Sequence, residues 1–189
     1  MLTEKITIKK EERNAYPTLP DDKYQVELLD ITMSEHQVYK QPDKKEKVFS
    51  FQFTVLDDGE NRCRNLWANF IPTTLWISQK NGKNKLYQII EALLGSELTQ
   101  EQEAKLDTDF LTGLIGKQCA VMTEIKEGRE KQFNNIIKFI KVAKNKLPLN
   151  DEEKEKCRVK PKDNVEHLTP DNGEVQLSEV PFNKDLNKS

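Results

Sequence analysis

Phe49, Phe51, Phe53 and Val55 alternate without a break with Ser50, Gln52 and Thr54. In an extended chain successive side chains point to opposite faces, so this run places one apolar and one polar row on a strand. A helix would scatter the same residues around its circumference, so the segment demands a sheet with a single apolar side. Asp57-Asp58-Gly59 then supplies turn chemistry. The same period recurs at Tyr24, Val26 and Leu28. It returns at Leu66, Ala68 and Phe70, set against Trp67 and Asn69 and stopped by Pro72. Cys119, Val121 and Ile125 against Gln118, Met122 and Glu124 give a fourth strand. Ile136 to Val142, rich in β-branched and aromatic residues, gives a fifth, after a hairpin loop around Gly128.

Between the third and fourth strands the period changes. Leu86, Ile89, Ile90, Leu93 and Leu94 form one stripe at helical spacing, and Gly95 follows as a C-cap. Thr99 to Lys105 adds a polar helical turn. Three strands, a helix and two strands is the order of an OB-fold, an all-β five-stranded Greek-key barrel with one helix between strands three and four. Such barrels bind oligonucleotides on the face of strands two and three and with the one–two and four–five loops.

Composition limits how much of the chain packs. Hydrophobic residues make up 35% and charged residues 33%, against about 45–50% and about 25% in ordinary domains. The apolar residues concentrate between Tyr24 and Val142. The expected organisation is an N-terminal extension over 1–15, with a short strand at Ile6 and Ile8, a barrel domain over 16–142, and a tail over 143–189. The tail carries charges of both signs and Pro148, Pro161, Pro170 and Pro181, and is expected to be disordered. No run approaches the roughly 18 apolar residues of a membrane span, and Met1 to Lys10 lacks the apolar core of a secretory signal, so a cytoplasmic location is expected. The three cysteines, Cys63, Cys119 and Cys157, are odd in number and widely spaced, which fits a reducing compartment. With only His36 and His167 as histidines, no zinc site is expected, and no other cofactor. Asp57, Asp58 and Glu60 read as a turn. Cys63, between Arg62 and Arg64, has neither a histidine base nor a resolving cysteine near it in sequence and reads as an incidental thiol. No nucleophile–base pair or phosphate cradle emerges, so an enzyme is not expected.

Several segments resemble the phage-encoded OB-fold single-stranded DNA-binding proteins of replication and recombination modules, long catalogued as a domain of unknown function. They are Leu19-Pro20-Asp21-Asp22-Lys23-Tyr24-Gln25-Val26, the Phe49–Val55 strand, and Arg64-Asn65-Leu66-Trp67-Ala68-Asn69-Phe70. Beyond the amphipathic helix, Leu114-Ile115-Gly116-Lys117 and Asn134-Asn135-Ile136-Ile137-Lys138-Phe139 continue the match. The resemblance covers Tyr16 to Val142. It implies a non-catalytic, largely sequence-independent binder of single-stranded DNA, or of RNA, in the cytoplasm of a bacterial host. A single OB-fold covers only about 4–16 nucleotides, so self-association is a further expectation, and the C-terminal tail is where replication or recombination proteins are expected to bind.

A single-strand binder needs cations along the backbone path and flat rings for bases. The one–two loop, His36 to Lys47, offers His36, Tyr39, Lys40, Lys44, Lys45 and Lys47, though Asp43 and Glu46 interleave and a solvated loop would look the same. The four–five loop offers Arg129 and Lys131 among glutamates. Trp67 falls on the outward period of strand three, near Arg62, Arg64 and Asn69. It is either a stacking ring or a ring covered by the helix or the N-terminal segment. Trp76 is expected in the core. Ser178-Glu179-Val180-Pro181-Phe182 is similar to the acidic Pro-Phe tip through which bacterial single-strand binders recruit enzymes. Its acidic run is thin and Asn183 to Ser189 follow it, so a chance match is the plainer explanation. The competing function is an OB-like protein-interaction module that uses Trp67, Trp76 and the tail. Phe49, Phe51, Phe53, Leu66, Phe70, Leu86, Ile90, Val121 and Phe139 are expected to form the core.

Overall fold

The computed structural model describes residues 18–38, 41–128, 132–157 and 166–168. Five long strands, β1 (Lys23–Val38), β2 (Gln41–Val55), β3 (Asn65–Pro72), β6 (Gln118–Glu127) and β7 (Gln132–Ile140), form one antiparallel sheet in the order β3-β2-β1-β6-β7. A two-stranded ribbon, β4 (Ile77–Ser78) with β5 (Gly82–Lys83), and helix α1 (Lys85–Leu94) follow β3. The short helices α2 (Gln100–Ala104) and α3 (Thr108–Thr112) complete the crossover to β6. Helix α4 (Asp151–Cys157) and the two-residue strand β8 (Glu166–His167), paired with β1, come after the sheet. None of the described helices is long and apolar enough to cross a membrane.

The apolar rows meet inside. Val26, Leu28, Ile31, Phe51, Phe53, Val55, Leu86, Ile89, Ile90, Cys119 and Val121 are buried together. Phe53 touches Phe139 with ring centroids 5.7 Å apart, joining β2 to β7 across the interior. α1 packs on β3, β6 and β7, and the two edge strands β3 and β7 come into contact, so the sheet curls around its apolar side. α1 starts where the Asn84 side chain accepts the Tyr87 N–H and ends at Gly95, whose φ of +74° suits a residue without a Cβ.

Four expectations change. The first concerns His36 to Lys47, whose described residues are strand rather than loop. β1 and β2 stay paired up to Val38↔Gln41, with Glu35 opposite Lys47 and Gln37 opposite Lys45. Opposed charges stabilise a ribbon wetted on both faces, which has no hydrophobic period to reveal it. The second concerns helix number, since α3 and α4 join the expected helix α1 and the polar turn expected over Thr99 to Lys105, which is α2. α2 and α3 owe their ends to side-chain caps from Thr99 and Asp107. The third concerns Phe70, expected in the core but exposed, as described below. The fourth concerns the segment after 143, expected to be disordered. Over 143–157 it lies against the sheet, and Leu149, Cys157 and Leu168 are buried. The N-terminal extension, the Ile6–Ile8 strand and Ser178–Phe182 lie outside the described residues.

Candidate nucleic-acid interface

The register assigns the outward row of the sheet. Opposite the buried phenylalanines, Thr54, Gln52, Ser50 and Val48 of β2 align with Glu27, Asp30, Thr32 and Ser34 of β1. On the other side Thr54 and Gln52 align with Asn65 and Trp67 of β3. Trp67 therefore points outward as its period predicts, but it is half-buried rather than open.

Phe70 reaches this surface through a bulge. The β2–β3 register runs from Phe51↔Ala68 to Phe49↔Ile71, so Asn69 and Phe70 share the place opposite Ser50. The extra residue returns Ile71 to the interior and takes Phe70 out of it. Phe70 adopts a φ of +58°, a left-handed conformation that disfavours a bulky side chain. Its ring is 62% exposed. It rests 4.6 Å from the His36 imidazole, the planes inclined by 49°. Strained backbone that presents an aromatic ring to solvent is a recurrent mark of a functional position.

The expected cations divide. Lys44 pairs with Glu46 (3.0 Å) and Lys45 with Glu35 (3.5 Å), all on exposed side chains. Such pairs hold their partners weakly. Lys47 is exposed on the same ribbon, and Asn69 is exposed next to Phe70. Arg62 and Arg64 lie in the β2–β3 turn, at the other end of β3 from Phe70. Arg64 is half-buried, while Arg62 donates to the Leu56 carbonyl (2.8 Å) and to Glu153 (2.9 Å). Tyr39, Lys40, Arg129 and Lys131 lie outside the described residues. Trp76 is not in the core. It is 46% exposed beside Ile77, 63% exposed, at the β4–β5 ribbon, while its neighbour Leu75 packs inward instead.

The lower half of the outward face is covered by residues 144–157, a polar strap. Gln25 donates to the Lys144 carbonyl (3.2 Å), and Gln118 exchanges two hydrogen bonds with the Lys146 backbone. The Lys146 ammonium pairs with Asp57. Buried Glu27 accepts from the Leu149 N–H (3.3 Å) and faces the Lys154 ammonium (3.3 Å). Gln52 (3.2 Å) and Asn65 (2.5 Å) both donate to the Cys157 carbonyl. Leu56, Leu149 and Cys157 form a small apolar cluster beneath, flanked by Leu29 and Cys63.

The Arg62–Glu153 pair makes the strap sensitive to acid. Its hydrogen bond from Arg62 holds the Glu153 carboxyl below its ordinary range, with help from the Asn150 backbone. A depressed carboxyl contributes stability that is complete above its unfolded pKa, about 4.3, and is lost as pH falls through the folded value. Protease cleavage within 144–157 is therefore expected to accelerate below about pH 4, and Glu153→Gln is expected to show that faster cleavage already at neutral pH. Equal cleavage of the two proteins at neutral pH would remove this pair as a determinant.

Phe70 and His36, the hydroxyls of Thr32, Ser34 and Ser50, and the exposed Asn69 amide thus share the upper half of one sheet face, beside a lysine-bearing ribbon. Exposed rings of this kind offer flat faces against which planar groups can stack. The exposure of Phe70 escapes the sequence pattern because one inserted residue inverts the alternation, and no local signal in Trp67-Ala68-Asn69-Phe70 reports a bulge, whereas His36 is among the residues the one–two segment offers. A scan of protein-family models finds no match to this chain, and a search of curated proteins finds none either.

Proposed function

We propose that this protein is a non-catalytic, largely sequence-independent binder of single-stranded DNA with an OB-type barrel, of the kind found in phage or mobile-element replication and recombination modules. The observation that carries the proposal is the exposed Phe70–His36 ring pair, on the same outward face as Trp67. The barrel assignment is supported by β1 pairing with both β2 and β6 and by the helices between the third and fourth long strands. The outward face of β2 and β3 is where OB barrels bind oligonucleotides. A chain net charge of −2 opposes this weakly, because the local field follows charge distribution rather than the total.

Phe70→Ala is expected to weaken oligo-dT binding by about 1–3 kcal/mol, the contribution of one stacked base. The melting temperature should stay near that of the parent, because the ring is exposed. The salt slope should stay too, because a stack carries no charge. Replacing Lys44 and Lys45 with Ala is expected to shallow the slope by about 0.7 for each phosphate no longer neutralised. A second function, protein binding without nucleic acid, is favoured by the exposed Trp76 and Ile77. Fluorescence anisotropy of a labelled oligo-dT separates the two. Unchanged affinity in both the Phe70 variant and the double lysine variant would move the weight to the β4–β5 ribbon as a protein-docking surface.

A further inference from the structure

Cys63 and Cys157 are distant in sequence but adjacent in the fold. Cys63 sits in the β2–β3 turn, its N–H bonded to the Val55 carbonyl at 3.0 Å. Cys157 is the last residue of α4. Cys63 packs against the apolar cluster that Cys157 closes with Leu56 and Leu149. The position of Cys157 is held from below by Gln52 and Asn65, which both donate to its carbonyl. Both thiols are free.

We propose that Cys63 and Cys157 are a redox-modifiable pair that closes into a reversible disulfide and latches the C-terminal strap onto the outward face of the sheet. This rests on the fold alone and is independent of what the protein binds. The two cysteines differ in access, which sets the order of events. Cys63 is half-buried, whereas Cys157 is 3% exposed and burial, together with the neighbouring Cys63, pushes its thiol up to about 11. An oxidant of the low-molecular-weight disulfide class, such as oxidised glutathione, therefore meets Cys63 first. The Cys63 thiolate attacks one sulfur of the oxidant, the S–S bond breaks, and one glutathione thiolate leaves. Cys157 then loses its proton and attacks the Cys63 sulfur of the mixed disulfide, expelling the second glutathione. Two protein thiols and one small disulfide become one protein disulfide and two glutathione thiols, which carry off both electrons and both protons. The new bond closes a long loop, and closures of that kind oppose opening of the chain they span.

Cys119 is a control within the molecule. It is fully buried in the main core, and burial pushes its thiol up to about 12. Incubating the folded, full-length protein with oxidised glutathione should reduce the free thiols from three to one. Cleavage after Glu60 and Glu155 should then yield one linked pair of peptides containing Cys63 and Cys157, separated by dithiothreitol. Protease cleavage after Lys154 and Lys156 should slow in the oxidised protein and recover on reduction. Cys63→Ser, a change at the more exposed partner, should leave Cys157 unmodified under the same conditions. A glutathione that stays on Cys63 as a stable mixed disulfide, or a wild-type thiol count that does not fall, would overturn the proposal.

Discussion

Phe51→Ala is expected to lower the unfolding free energy by about 3–5 kcal/mol, the cost of truncating a buried phenylalanine and leaving a cavity. Phe51 is fully buried at the centre of β2, between Phe49 (6.2 Å between ring centroids, edge-on) and Phe53 (6.4 Å, stacked). It faces Ile31 on β1 and Ala68 on β3. Relaxation into the void is opposed on both sides by paired strands, so the upper end of the range is expected. Phe70→Ala, one bulge away on the neighbouring strand, should leave the urea midpoint near that of the parent. Similar midpoint losses for the two variants would mean that the facing of β3 is inverted.

A chain ending at Ala143 is expected to lose about 2–4 kcal/mol relative to one ending at Leu168. Leu149 and Leu168 are each more than nine-tenths buried, Leu168 in the main core with its N–H bonded to the Ile31 carbonyl at 2.9 Å. Burying a leucine contributes about 1.5–3 kcal/mol, and the freedom regained by the released chain offsets part of the loss. Leu56, buried under the strap, becomes open as well. The chain ending at Leu168 keeps the whole strap over 144–157. Coincident denaturation curves for the two truncations would show that the strap contributes nothing to the fold.

How much of this is legible in the sequence follows from how each element is stabilised. β2 and α1 announce themselves because each buries one regular stripe, so Phe49 to Val55 and Leu86 to Leu94 place themselves without any knowledge of their partners. The upper β1–β2 ribbon has no buried face, and its pairing rests on cross-strand charges and continuity with the strands below. The strap escapes for a related reason. Its buried residues, Leu149 and Cys157, and Leu168 beyond it, are isolated in a charged, proline-bearing stretch, and the strap is held by hydrogen bonds from Gln25, Gln52, Asn65 and Gln118. Those amides sit on the polar phase of their strands, where a period-two pattern registers only that they are polar.

The candidate site is half legible. Alternation alone puts Trp67 on the outward face, and the lysine spacing finds Lys44, Lys45 and Lys47, which lie on the β1–β2 ribbon rather than in a loop. Nearness in sequence assigns Arg62 to the same patch. Its hydrogen bonds to Leu56 and Glu153 belong instead to the strap. Phe70 is lost to the bulge, because the residue count between Ala68 and Ile71 has meaning only once β2 is alongside.

Binding of a fluorescein-labelled oligo-dT to the full-length protein, measured by anisotropy at about 50 mM and about 200 mM salt, tests the central proposal most directly. Release of counterions from about three phosphates would weaken binding on the order of tenfold across that range. Saturable binding that weakens to that extent, and that Phe70→Ala reduces at both salt concentrations in parallel, is the predicted result. No binding at the lower salt concentration would contradict a single-strand-binding function.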